Sequence, residues 1–258
     1  MNLQKLILTK NDCYKKNQWI TPKGIMVHST GANNPTLKRY VGPDDGLLGV
    51  NTNNNHWNMG GVGACVHAFI GKLKDGTIAT YQTLPWTMRG WHCAGSGNNN
   101  LISFEICEDG LNNRTYFNKV YKEAVELCAY LCKEFNLSPN SIICHSEGYA
   151  KGVASNHSDV MHWFPKHNKN MNIFRKDVEK EIEKLSKPKG VEETMTEQEL
   201  KDFIIKTVSE IGKDKECSAW AKNDVIDAMG KGITDGSNPQ SYATREQVIS
   251  MVMRSKKA

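Results

Sequence analysis

Four short apolar runs alternate with longer segments of helical periodicity over the first 190 residues. The runs are Ile25 to Val27, Cys65 to Ile70, Leu101 to Ile106 and Ile142 to Cys144. Runs this short, rich in β-branched and aromatic residues, are expected as strands. Asp75-Gly76 predicts a hairpin turn, with residues 77–81 as the returning strand. Over residues 117–135, Val120, Ala124, Leu127 and Leu131 recur every three or four positions and make one apolar stripe of a helix. Residues 170–185 repeat that pattern with Ile173, Val178 and Ile182. Strands and helices mixed in this order imply an α/β domain: a central mixed β-sheet flanked by helices.

The pattern breaks near residue 190. Residues 184–194 are polar and carry a Pro and a Gly, as linkers do. The expected organisation is therefore a domain over residues 1–187, a linker over 188–195 and a small all-α module over 196–258. In the last part Thr196-Glu197-Gln198-Glu199 and Thr244-Arg245-Glu246-Gln247 each have the form of a capping box opening a helix. A further helix is expected over 218–231, ended by Gly232. The charge follows the same division. Residues 191–258 carry a net −2 and the remainder +7, within a total of +5. The positive part suits an anionic polymer, but basic and aromatic residues are too little interleaved to suggest nucleic acid. No apolar run approaches the roughly 20 residues of a membrane span. The first 16 residues lack the apolar core of a signal peptide, which predicts synthesis in the cytoplasm. The eight cysteines are scattered without a CxxC pair, and most are expected as small buried hydrophobes.

Two of the eight histidines, His28 and His145, close apolar strands. An imidazole there suggests a site at the strand ends. With His157-Ser158-Asp159 nearby in sequence, the set is compatible with zinc, which takes neutral imidazole and carboxylate. Glu105 interrupts the apolar strand LISFEI. Such a carboxylate either faces solvent on an edge strand or serves as a base.

The blocks GIMVHST, VHAFIG, GWHCAG, NNNLISFEIC and CHSEGY…NHSD follow one another over residues 20–180. In that order they resemble the zinc-dependent N-acetylmuramoyl-L-alanine amidases of the peptidoglycan-recognition-protein fold, the amidase type 2 family, and phage endolysins within it. The resemblance implies Zn2+ on His28, His145 and Asp159, with His162 as an alternative to Asp159. It implies Glu105 as the catalytic base and His157 as the residue steadying the oxyanion. Trp91 and His92 are implied to line the substrate cleft; His67, within a strand pattern, is expected to be structural or to line that cleft as well, whereas His56 and His167 are expected at the surface. The implied activity is hydrolysis of the amide between N-acetylmuramic acid and the L-alanine of the stem peptide, with peptidoglycan as partner and action on the wall after release from the cell.

Residues 218–254 resemble one S-layer homology motif, most clearly at Trp220-Ala221 and Thr244-Arg245. That implies a weak wall-polymer contact through Trp220 and Arg245, against the competing reading of a helical unit that packs or forms a homodimer. Two rivals stand beside the amidase: a non-catalytic peptidoglycan-binding module of the same fold, and a cysteine hydrolase using Cys144 or Cys93. Adjacent Cys144 and His145 pair poorly on a strand, because neighbouring side chains face opposite ways.

Overall fold

In a computed structural model of the chain, residues 1–186, 197–213 and 215–257 are described. The expected 188–195 linker and the Thr196 cap lie outside them. Contacts divide the chain into two units, Met1–Pro188 and Lys189–Ala258.

The first unit is built on a six-stranded sheet. Its strands are β1 (Leu3–Lys5), β2 (Gly24–Asn33), β3 (Ala68–Lys72), β4 (Ile78–Gln82), β5 (Leu101–Glu108) and β6 (Ile142–Cys144), in the order β1-β4-β3-β5-β2-β6. The hairpin pair β3–β4 is antiparallel and the other pairs are parallel. This is the mixed sheet expected. The three-residue β1 was too short to give a sequence pattern. The run from Cys65 to Ile70 is only partly a strand: β3 begins at Ala68, while Cys65 makes an isolated bridge to Trp91.

Two long helices cover one face, α2 (Arg114–Glu134) and α4 (Met171–Ser186); α1 (Asp12–Lys15) and α3 (His145–Ala150) are short. Asn113 caps α2 by accepting from the Tyr116 amide. The stripe Val120, Ala124, Leu127 and Leu131 packs in one core with Ile25, Val27, Ile102, Phe104 and Ile106. Side chains in a strand alternate between faces, so the residues between these point away from α2. Met26 and Leu101 do so and join Cys93 and Ile143 in a separate cluster.

Five of the cysteines, Cys93, Cys107, Cys128, Cys132 and Cys144, are buried and free, as expected. Cys13 and Cys65 instead form a disulfide across 52 residues, a pairing that spacing alone does not reveal. His56 and His167 are not at the surface. Both are buried, and His167 donates to the Leu111 carbonyl at 2.9 Å and stacks on Phe117 at 4.1 Å.

The second unit contains α5 (Glu197–Glu210), α6 (Lys222–Gly230) and α7 (Arg245–Ser255). The capping box on α7 is formed: Thr244 Oγ1 accepts from the Gln247 amide and Gln247 Oε1 from the Thr244 amide. Gly232 follows α6 with φ +67°, the left-handed conformation that ends helices. None of these three helices buries a residue.

Candidate metal centre and its cleft

On β2, His28 lies two residues beyond Met26 and shares its face of the sheet, away from α2. Its register partner on the neighbouring β5 is Glu105. Pleat and register therefore bring an imidazole and a carboxylate to the same face of two central strands. His145 is the first residue of α3, so the chain turns from strand to helix at that point. The turn is anchored: Glu147 accepts from the Cys144 amide at 3.2 Å and forms an ion pair with Arg175 of α4 at 3.0 Å. Asp159 follows in the loop after α3.

The three side chains converge. His28 Nδ1 stands 3.0 Å from Asp159 Oδ2 and 3.1 Å from His145 Nδ1, and His145 Nδ1 is 3.6 Å from Asp159 Oδ1. A tetrahedral zinc with bonds of about 2.0–2.1 Å spaces its ligand atoms about 3.3–3.4 Å apart. The triangle thus has the dimensions of one face of such a centre. Two imidazoles and one carboxylate are also the right donors for it, with a fourth position left for water. Burial holds the Asp159 carboxyl toward its neutral form, but hydrogen bonds from His145 and His28 outweigh it and keep the pKa far below the ordinary value. Burial lowers the pKa of His28, favouring the neutral ring a metal requires.

Each histidine is also held at its second nitrogen. His28 Nε2 lies 2.9 Å from His92 Nδ1, and His145 Nε2 lies 3.2 Å from Ser155 Oγ. Ser155 Oγ in turn is 3.0 Å from Nδ1 of the exposed His157. Support of this kind, on the far nitrogen of a ligand, fixes ring orientation.

Glu105 belongs to an internal strand and not to an edge, so the solvent-facing alternative does not hold. Its Oε2 is buried without a hydrogen-bond partner. Burial pushes its pKa well above the carboxylate range, and the charges of Asp159 and Glu108 add to the effect. A base needs a pKa near the working pH, and this environment moves Glu105 toward it.

These groups line one cleft of about 900 Å³, with Trp91, His92 and His157 along its walls. His67 takes the structural of its two expected places: it is fully buried and is not among the residues lining the cleft. Its Nε2 donates to the Met88 carbonyl at 2.8 Å, and its Nδ1 accepts from the Ser103 amide at 3.0 Å. His162 lines the cleft but is turned to Glu108, 2.9 Å from Oε1, and is outside the ligand group of His28, His145 and Asp159. The thiols of Cys93 and Cys144 are buried, and burial raises both pKa values, so neither is an activated nucleophile. Sequence reasoning missed Ser155 and the Glu108–His162 pair. A serine two positions before His157 carries no signal until the fold puts it beside His145.

Comparison with known proteins places the chain by family and by fold. The family model described as N-acetylmuramoyl-L-alanine amidase matches residues 18–165. Among solved structures, that of Staphylococcus aureus hydrolase AmiA in complex with its ligand is similar at a TM-score of 0.52 and 17% identity, covering 70% of this chain and 83% of that one. The PlyG catalytic domain in solution is similar at 0.50 and 21%, covering 70% and 96%. A point mutant of PlyL gives 0.50 and 20%, covering 69% and 99%. At these identities the likeness concerns the fold. Among curated proteins none matches.

Proposed function

Since the chain belongs to the N-acetylmuramoyl-L-alanine amidase family, we propose that it hydrolyses the amide joining N-acetylmuramic acid to the L-alanine of the peptidoglycan stem peptide. One observation carries this reading. A ligand triangle sized for zinc and a half-buried carboxylate with one buried, unpartnered oxygen open into the same cleft.

In this reading His28, His145 and Asp159 hold Zn2+. When bound, zinc supplies a Lewis acid for the scissile carbonyl and lowers the pKa of a water molecule toward ~7. Glu105 takes the proton from the attacking water and returns it to the leaving amine. His157, at the mouth of the site, donates to the oxygen on which negative charge develops. Trp91 and His92 shape the wall against which the substrate lies. A carboxylate with one oxygen kept buried and unpaired has little use in a module that only binds, which supports catalysis over the non-catalytic alternative.

The same reading makes the protein a lysin of the phage endolysin kind, synthesised in the cytoplasm and acting on the wall after release. Among the described residues no helix is long and apolar enough to cross a membrane. The second unit would act as a tether. Trp220 is 84% exposed there, and Arg245 opens α7. In this reading both side chains meet a wall polymer, and their exposure supports it.

Mass spectrometry of digested wall tests the reaction. Free N-terminal alanine on the stems, and its loss with EDTA, is expected; cleavage elsewhere, or cleavage indifferent to chelation, overturns it. Removing residues 189–258 tests the tether. Activity on soluble fragments is expected to persist while activity on whole cells falls, because tethering raises local concentration. Equal whole-cell activity at low and high salt would favour dimerisation as the module's role, and sedimentation of both chains would then decide.

A further inference from the structure

The motif GWHCAG has no direct part in the chemistry above beyond the wall formed by Trp91 and His92. Its backbone nevertheless holds one polar residue that the family resemblance did not assign. The Ser155 amide donates to the Cys93 carbonyl at 2.8 Å, and the Gly97 amide donates to the Val153 carbonyl at 2.9 Å. The two segments approach so closely at Gly95 that a Cβ there would lie 2.3 Å from the Val153 oxygen. Only glycine permits this contact. Ser155 is therefore fixed in place, with its hydroxyl between two histidines: 3.2 Å from His145 Nε2 and 3.0 Å from His157 Nδ1.

The hydrogen bonds across that hydroxyl have a direction. The Nδ1 of His145 faces His28 and Asp159, so as a ligand it is unprotonated. The proton of the neutral ring then sits on Nε2 and is donated to Ser155 Oγ. The hydroxyl has a single proton of its own, and the acceptor on its other side is His157 Nδ1. A His157 ring that accepts at Nδ1 carries its proton on Nε2. We propose that Ser155 is a positioning residue: it transmits the orientation of the ligand His145 to His157 and holds His157 as the Nε2–H tautomer, the one able to donate to the substrate oxygen.

This inference rests on the zinc amidase reading, and the test separates the two. The protein used is the zinc-loaded full chain with nitrogen-15-labelled histidine, observed by long-range proton–nitrogen correlation. In the wild type His157 is expected as the Nε2–H tautomer, and in Ser155→Ala as a mixture. Zinc affinity measured against a chelator is expected to weaken roughly 10–100-fold in Ser155→Ala. Hydrolysis of a soluble muropeptide is expected to lose about tenfold in kcat with KM little changed. Ser155→Thr keeps the hydroxyl and should restore all three readouts. In a His157→Ala background Ser155→Ala should cost no further rate, because the two residues act as one unit.

An unchanged Nε2–H tautomer in Ser155→Ala, or losses that multiply in the double variant, overturns the inference while leaving the amidase reading intact. A wild-type chain that takes up no zinc overturns both. Where Ser155→Ala disturbs folding, Ser155→Cys, with similar shape but a weaker donor, gives the same readouts.

Discussion

On β2, Ile25 and Val27 turn toward α2, while Met26 and His28 turn the other way. On β5, Ile102, Phe104 and Ile106 face the helices, whereas Ser103 and Glu105 share the side of His28. The helix face is apolar apart from a buried hydrogen bond between Thr80 of β4 and Glu123 of α2, and it is closed by α2 and α4. On β2 and β5 the opposite face mixes the small apolar cluster of Met26 and Leu101 with the polar groups of the cleft, while on β3 and β4 it carries a second buried core around Phe69 and Tyr81. Because the two sets alternate residue by residue, stability and chemistry are carried by the same strands but by side chains of opposite parity. A substitution on one face should therefore move one property and spare the other, and four experiments test that separation.

The largest effect is expected at the ligands. His28→Ala and Asp159→Ala should each abolish zinc uptake and activity together, since three protein ligands reduced to two rarely retain the metal. Far-UV circular dichroism of the metal-free protein should be unchanged, because the helix face is untouched. His162→Ala should keep its zinc. Full activity in a metal-free variant would end the assignment of the site, and zinc loss in His162→Ala would move the third ligand there.

Glu105→Gln comes next. Zinc content should stay at the wild-type level while kcat falls by roughly 10²–10⁴, the range of a general base. Stability should hold or rise, because a carboxylate with one oxygen buried and unpartnered is costlier than an amide. A rate near wild type would reduce Glu105 to a structural residue. A fall in stability would mean that its carboxylate is paired in solution and that the two faces are less separable than their parity suggests.

Phe104→Ala tests the opposite face. The ring is fully buried against α2, and truncation should destabilise by about 3–5 kcal/mol, read from denaturant midpoints. Zinc affinity and kcat of the fraction that remains folded should be close to wild type. If zinc affinity instead falls in step with stability, the strand transmits strain from one face to the other.

The helix face was the legible part of the sequence. Periodicity in residues 117–135 and the apolar runs of β2, β5 and β6 expressed the packing directly, because burial selects residue type at each position. The chemistry of the other face was legible in part: residue types made a zinc set and a base plausible, and the resemblance assigned the individual roles. His28 and Glu105 stood out as polar residues in apolar strands, but nothing in their spacing tied them to Asp159, which a loop delivers from 131 residues away. His67 shows the limit of residue type as a guide. It stands in an apolar run, immediately before the hairpin strand β3, just as a cleft histidine would. What decides its role is the pair of backbone groups that meet it, Met88 and Ser103, and both come from other segments. Ser155 was invisible for the same reason, since its function depends on the histidines on either side.

His67 also provides the finest test, because it lies near the site yet belongs to the structure. It is fully buried, and burial pushes its pKa down to about 4, against 6.5 for a free ring. The folded state therefore stays unprotonated at this ring until about pH 4, while the unfolded chain takes up the proton near 6.5. Between those values the unfolded state binds the extra proton, so stability is full above the higher pKa and declines as pH falls toward the lower one. The accumulated loss is about 3 kcal/mol. His67→Gln can keep an amide oxygen toward the Ser103 amide and an amide hydrogen toward the Met88 carbonyl, but it removes the titration. Urea unfolding of the metal-free protein between pH 7.5 and 4 should then show a shallower decline in the variant, by up to about 1.4 kcal/mol per pH unit. All other groups are common to both proteins, so their contributions cancel in the difference. With zinc restored at neutral pH, the variant's kcat should match the wild type if His67 supports the cleft floor without touching substrate. Parallel pH profiles would show that His67 is reached by solvent, and a kcat loss without a stability change would return it to the cleft wall.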